Sequence, residues 1–330
     1  MNRTQIRLLK NLYKILSPSK QGGEYKIREF IKNYINSLND PNIKTHKDSM
    51  GNLYVEKIDT KEEFKREYVP CIVAHLDQVQ SFYPSDFKVI IKSNKVYGWS
   101  SSLQKRCGLG ADDKNGIFIA LECLRCFRGI KLAFFVQEET GGLGSNYADL
   151  SFFKDVSYII QPDRRGSKDL ITSIAGTPVC SQEFIEKITN ITHYGYEQEC
   201  GAFTDILNLV ERGVGVSCIN LSCGYYNPHT DEEYTLLRDL EVCLKYVKQI
   251  IREVPDRYKH KHKIDNYYYD NAYYDNYLQN SNETVGVVYP NLMKKAWELC
   301  NKSVMELTDA EWAWVNEIQG GNPCEDYYYD

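Results

Sequence analysis

Apolar residues recur at helical spacing over residues 4–16 and 23–38, and Ser17-Pro18-Ser19 breaks the run between them. Two N-terminal helices are predicted. Met50-Gly51-Asn52-Leu53-Tyr54-Val55 reads as a turn into a strand. Tyr68-Val69-Pro70-Cys71-Ile72-Val73-Ala74 is a short unbroken apolar run, typical of a buried strand, and it ends at His75. Residues 87–98 alternate like a hairpin, and residues 114–127 return to a helical period. Residues 131–136 read as a second buried strand, which runs out at Gln137-Glu138-Glu139. Twice more an apolar strand leads into polar groups: 156–160 into Gln161-Pro162-Asp163, and 214–221 through a Gly-Tyr-Tyr-Asn-Pro turn into His229.

Four strands therefore deliver polar side chains at their carboxyl ends. In open α/β sheets that edge is where ligands bind, because strand ends and following loops form a crevice there. Helical segments at 114–127, 180–191, 204–212 and 232–252 alternate with the strands. The expected fold is α/β, a mixed, mostly parallel central sheet covered by helices on both faces. This catalytic domain is expected over residues 1–256. Residues 257–284, rich in Tyr, Asp and Asn and without an apolar period, read as a linker or surface cover. Residues 285–330 read as a small helical extension, through Leu292, Ala296, Trp297 and Cys300 and then Trp312, Trp314, Val315 and Ile318, with a frayed end.

Composition narrows the class. At 330 residues and 42% hydrophobic, the chain can bury a large core, which excludes disorder throughout. A formal charge of −5, interleaved along the chain, leaves no nucleic-acid footprint. No segment approaches roughly 18 apolar residues in a row, and the first residues show no cleavable signal, so a cytoplasmic protein without a membrane partner is expected. Eleven cysteines, an odd number, fall mostly in apolar segments (Cys71, Cys123, Cys180, Cys218, Cys243) and read as reduced core thiols. Cys123 and Cys126 form a C-x-x-C inside a helical run, where core packing is the expected role.

The strand-end residues are His75-Leu76-Asp77, Gly110-Ala111-Asp112-Asp113-Lys114-Asn115-Gly116, Gln137-Glu138-Glu139-Thr140-Gly141, Asp163 and Asn227-Pro228-His229. Imidazole nitrogen and carboxylate oxygen are zinc ligands, and two zinc ions roughly 3.5 Å apart can share one carboxylate and one water. In an extended segment neighbouring side chains point apart, so Glu138 and Glu139 are expected to do different work. Asp77, two residues after His75, lies on the same side of the chain and is placed to accept a proton from the imidazole nitrogen that does not bind metal.

The ordered set resembles the di-zinc exopeptidase superfamily, which includes peptidase T, the single-domain zinc aminopeptidases and the amino-acid deacylases, over roughly residues 5–250. The resemblance implies two divalent metal ions per chain, zinc with cobalt or manganese as alternatives. It implies that Asp112 bridges them, that His75 and Asp163 complete one site and Glu139 and His229 the other, and that Glu138 is the general base. The implied substrate is a small peptide, and the oligomeric state stays open. Gly201-Ala202-Phe203-Thr204-Asp205 is similar to a Gly-Thr-Asp loop lining the site in some relatives, with Phe203 in place of a small residue. Thr204 and Asp205 are thus candidate substrate contacts, Thr204 alternatively a helix N-cap. His193 is a further substrate-contact candidate. His46, in a polar loop, and His260 and His262, in a charged stretch, read as solvated surface.

Many relatives carry a lid or dimerisation domain of about 100 residues inserted in one of two gaps. Here only 36 residues separate His75 from Asp112, and 65 separate Asp163 from His229, so no inserted lid domain is expected. In relatives, Asp at the position of Asp163 accompanies aminopeptidase activity and Glu accompanies carboxypeptidase or deacylase activity. An aminopeptidase or di/tripeptidase is the first expectation, a deacylase or carboxypeptidase the second, and a metal-binding scaffold without turnover the third.

Overall fold

Both N-terminal runs are helices in the computed structural model, which describes residues 1–261 except 20–21, 60, 62–66 and 192–193. Helix α1 (Arg3–Tyr13) starts in a reciprocal cap: the Gln5 amide donates to the Asn2 side chain, and the Asn2 amide donates to the Gln5 side chain. Helix α2 (Gly23–Ser37) buries Ile27, Ile31 and Ile35, one stripe at four-residue spacing. Strands β1 (Ile43–Lys47), β2 (Leu53–Ile58) and β3 (Val69–His75) follow, then β4 (Lys88–Lys92), β5 (Lys95–Ser100) and β6 (Lys105–Cys107). Next come α3 (Ala111–Cys126), β7 (Gly129–Phe135), α4 (Leu143–Asn146), β8 (Val156–Arg164), β9 (Asp169–Ile174) and β10 (Thr177–Pro178). The series ends with α5 (Gln182–Asn190), β11 (Glu197–Gly201), α6 (Asp205–Glu211), β12 (Cys218–Ser222), β13 (Tyr225–Tyr226), β14 (Tyr234–Leu236) and α7 (Leu237–Glu253).

The main sheet runs β1-β2-β7-β3-β8-β12-β9-β10, with β11 also on β9. Its centre, β7-β3-β8-β12, is parallel, while β1, β2, β9 and β10 join in antiparallel pairings. The central strands are buried along nearly their whole length, which is why they read as continuous apolar runs. Alternate residues feed two cores. Ile72 and Ala74 pack with α1, α2, α3, α5 and α7, and Cys71 and Val73 pack with Phe152, Phe153 and the α6 residues Ile206 and Leu209. The sheet is therefore covered on both faces. A second, antiparallel sheet, β13-β14-β5-β4 with β6 on β5, joins the 88–107 segment to the strands flanking His229. The interval between His75 and Asp112 holds only these short strands, and the one between Asp163 and His229 belongs largely to the main sheet.

Several boundaries differ from those expected. Residues 232–236 do not begin the last helix. Tyr234 and Thr235 pair with Tyr97 and Val96, and the Lys95 ammonium sits 3.4 Å from the Tyr234 ring centre, so strand pairing takes this segment. Strand β8 continues through Asp163 because Asn220 brackets it, its side chain accepting from the Asp163 amide and donating to the Asp163 carbonyl. Strand β12 starts at Cys218, after a turn in which Gly215 takes φ 79°. His46 lies on β1, not in a loop, and stacks on Tyr54 at 4.8 Å. That edge strand is mostly exposed and polar, so it lacked an apolar signal.

Met1–Lys263 forms one unit. The described cysteines are all free thiols, with Cys71, Cys123, Cys180, Cys218 and Cys243 buried and Cys126 exposed. Among the described residues, no helix is long and apolar enough to cross a membrane. Of the expected linker or cover at 257–284, residues 257–261 are described and Tyr258 is buried in the core; the remainder, the C-terminal helical extension, His193 and His262 lie outside the described residues.

Candidate metal centre

Three parallel strands aim their ends at one point. His75 is the last residue of β3, Glu138 and Glu139 follow β7 by three and four residues, and Asp163 is near the end of β8. Asp112 comes from the turn opening α3, and His229 from the turn after β13. The α3 turn depends on Gly110 in the left-handed region (φ 64°), and the Asp112–Asp113 peptide is cis. Asp113 does not face the centre. Its carboxylate accepts from the Gly116 and His75 amides, and any Cβ at Gly116 would meet it at 2.4 Å.

His75 Nε2 lies 2.9 Å from Asp112 Oδ1 and 3.6 Å from Asp163 Oδ1. The other Asp112 oxygen, Oδ2, is 3.3 Å from His229 Nε2, which is 3.1 Å from Glu139 Oε2. Three ligand-like groups result among the described residues, His75/Asp112/Asp163, Asp112/Glu139/His229 and His75/Glu138/Glu139, each with its atoms within 4.8 Å of one another, and Asp112 gives one oxygen to each of the first two.

Charge in this cluster is unbalanced. Burial, then the neighbouring Asp112, pushes Asp163 up to about 8. Burial likewise raises Glu138 well above the carboxylate range and raises Glu139, where Asp112 adds to it. His229 is pushed up to about 10 by its contacts with Asp112 and Glu139. Burial opposes charge on His75 too, yet Asp163, Asp112 and Asp77 raise it well above the usual range. Glu139 Oε1 is buried with no hydrogen-bond partner, which is costly for a carboxylate. A cation fits here on both counts, since it would neutralise crowded carboxylates and take up the orphaned oxygen. The imidazole and carboxylate donors suit zinc.

Asp77 meets His75 Nδ1 through two groups. His75 Nδ1 is nearer the Asp77 backbone carbonyl, at 3.1 Å, than the carboxylate, at 3.5 Å. The carboxylate also accepts from the Glu138 and Glu139 amides, at 3.0 and 3.2 Å, and from the Ser19 hydroxyl at 2.7 Å. It thus straps down the Glu138–Glu139 turn while the carbonyl orients the imidazole.

Thr204 and Asp205 are 3% and 0% exposed, so they do not face open space. Thr204 occupies the N-cap position of α6 but its side chain makes no capping bond. Its hydroxyl donates to Gln161 Oε1 at 2.6 Å, and Gln161 Nε2 donates to Asp163 and Asp205. These two residues support Asp163 from behind. Phe203, 43% exposed, lies at the surface beside the exposed Ala202, its ring against Gly142.

Two buried groups escaped the sequence reading. Gln161 is the hub just described. Glu233 is 0% exposed and accepts four backbone amides, Leu109 and Gly110 on one oxygen (2.7 and 2.6 Å) and Ala111 and Asp112 on the other (2.9 and 3.2 Å). Glu233 fell within the 232–252 segment read as helical, so nothing in that reading marked it. Lys114, also buried, turns to Gln78 and Tyr83, and burial brings its pKa down to about 7.

No protein-family model matches the sequence, and no curated protein sequence is significantly similar to it. Solved structures are similar. Aminopeptidase PepT from Bacillus cereus aligns at 16% identity and TM-score 0.58, covering 76% of this chain and 98% of that one. A tripeptidase from Staphylococcus aureus aligns at 15% identity and TM-score 0.60 with the same coverage. The TET1 peptidase of Pyrococcus horikoshii aligns at 18% identity and TM-score 0.52, covering 75% and 99%. The chain therefore has the α/β fold that these three peptidases share.

Proposed function

We propose that this chain is a metallo-exopeptidase that holds two divalent ions, zinc in the first place, and releases the amino-terminal residue of a short peptide. The observation that carries this reading is Asp112, whose two oxygens face separate His/carboxylate groups. His75, Asp112 and Asp163 would hold one ion, and Asp112, Glu139 and His229 the other. Bound there, the ions would supply Lewis-acid polarisation of the scissile carbonyl and an acidified water.

The chain's own residues do the rest. Glu138 takes a proton from the attacking water and returns it to the leaving amine, and its buried setting favours a group able to hold that proton. Asp77, by binding both turn amides, lets Glu138 face the substrate while Glu139 faces the centre. The Asp77 carbonyl keeps His75 Nδ1 engaged, leaving Nε2 towards Asp112 and Asp163. Asp163, rather than Glu, and the aminopeptidase and tripeptidase neighbours support cleavage at the amino end. Assaying purified, zinc-loaded protein against free-amino dipeptides, N-acyl amino acids and carboxyl-terminal reporters tests this. Turnover of the first class alone is expected, and turnover of only the others would replace it with a deacylase or carboxypeptidase.

A further inference from the structure

We propose that Glu233 is a positioning residue that ties the Asp112 turn to the His229 turn and so builds the Asp112/Glu139/His229 half of the metal centre, an inference that rests on the function proposed above. The two halves are held differently. His75 and Asp163 stand on β3 and β8, neighbouring strands of the main sheet, so hydrogen-bonded backbone sets their spacing. His229 stands on a turn of the second sheet, where Asn227 and His229 both take positive φ (52° and 65°) and the His229 side chain is 47% exposed. Packing alone does little to hold it.

Glu233, four residues further on, supplies the missing tie. Four consecutive amides, 109–112, converge on its carboxylate, which the left-handed Gly110 makes possible. The last of those amides belongs to Asp112 itself. Arg106 clamps the same segment from the other side, donating to the Glu232 carbonyl at 2.6 Å and the Glu233 carbonyl at 2.9 Å. The Gly108 amide reaches Asp231 at 3.3 Å. Residues 231–233 are thus laced to 106–112, and the His229–Asp112 spacing follows from that lacing. No comparable bond runs from Glu233 to β3 or β8 among the described residues.

Glu233→Gln keeps the shape but turns an NH2 group towards amides that need an acceptor. Partners of this kind change metal affinity by about 10- to 100-fold when lost. Calorimetric zinc titration of wild type and variant, after chelation, should show two sites in both, with one weakened about 10- to 100-fold and the other unchanged. Hydrogen exchange of the metal-free proteins should show faster exchange at 109–112 and 227–233, with 71–75 and 156–163 as in wild type. Equal weakening of both sites, or general acceleration of exchange, would make Glu233 a support of the fold and overturn the proposal. Two wild-type-strength sites in the variant would overturn it alone. A wild-type chain that binds no zinc would overturn it together with the function reading. Should Glu233→Gln not fold, Glu233→Asp, which keeps the charge one methylene short, should show the same one-sided loss at about 3- to 10-fold.

Discussion

Glu138 and Asp163 belong to one cluster of carboxylates, but only Asp163 falls in a ligand group built around Asp112. Glu138→Gln keeps the side-chain shape and lies outside the two ligand groups built around Asp112. Metal content should be unchanged while kcat falls about 10²- to 10⁴-fold, the usual loss for a proton acceptor. Loss of metal, with activity regained on reconstitution, would mean that Glu138 and Glu139 have exchanged roles. The cluster also sets a pH dependence for the metal-free protein. Folding raises Asp163 from its ordinary 3.8 to about 8, so the stability it contributes is full below about pH 4 and is lost as pH rises towards 8. Folding raises His229 from 6.5 to about 10, so its contribution is full below pH 6.5 and is lost through pH 10. Both predict a melting temperature lower at pH 9 than at pH 5, measurable by thermal scans with chelator, and a flatter slope with saturating zinc. At this scale the convergence of His75, Asp112, Glu139, Asp163 and His229 was legible because each stands where an apolar run or a glycine turn ends. Glu233 and Gln161 were not, since a side chain that satisfies buried amides leaves no periodic mark.

Elements were read best where burial dictated them. Strands β3, β7 and β8 stood out because both faces are covered, and α1 and α2 because each shows one apolar stripe. The segment after His229 was misread because its acidic residues imitate a helix start, whereas pairing with β5 decides its conformation. The polar link between β8 and α6 was invisible for a related reason, since it passes through one glutamine. Gln161 accepts from Thr204 and from the Ile206 amide and donates to Asp163 and Asp205. Gln161→Met keeps the length and strands these buried partners, so urea unfolding of the metal-free protein should show a loss of about 3 kcal/mol. A change below about 0.5 kcal/mol would show that the hub does not hold α6 to the sheet.

Within the described unit, the carboxyl ends of β3, β7 and β8 meet the second sheet, which brings in His229. Only short strands fill the interval between His75 and Asp112, so the proposed function predicts a site bordered by loops that takes the end of a peptide. A free α-amine near the centre would hold the first carbonyl in place, and acetylating it removes that anchor. A dipeptide should therefore be cleaved at least roughly 100-fold more efficiently than its N-acetylated form, about 2.7 kcal/mol in kcat/KM. The central claim is the pair of ions joined by Asp112, and elemental analysis of the purified chain tests it most directly. Two zinc equivalents per wild-type chain are predicted, with one lost in His229→Ala and both weakened in Asp112→Ala. A single equivalent in the wild type, or two retained in both variants, would contradict it.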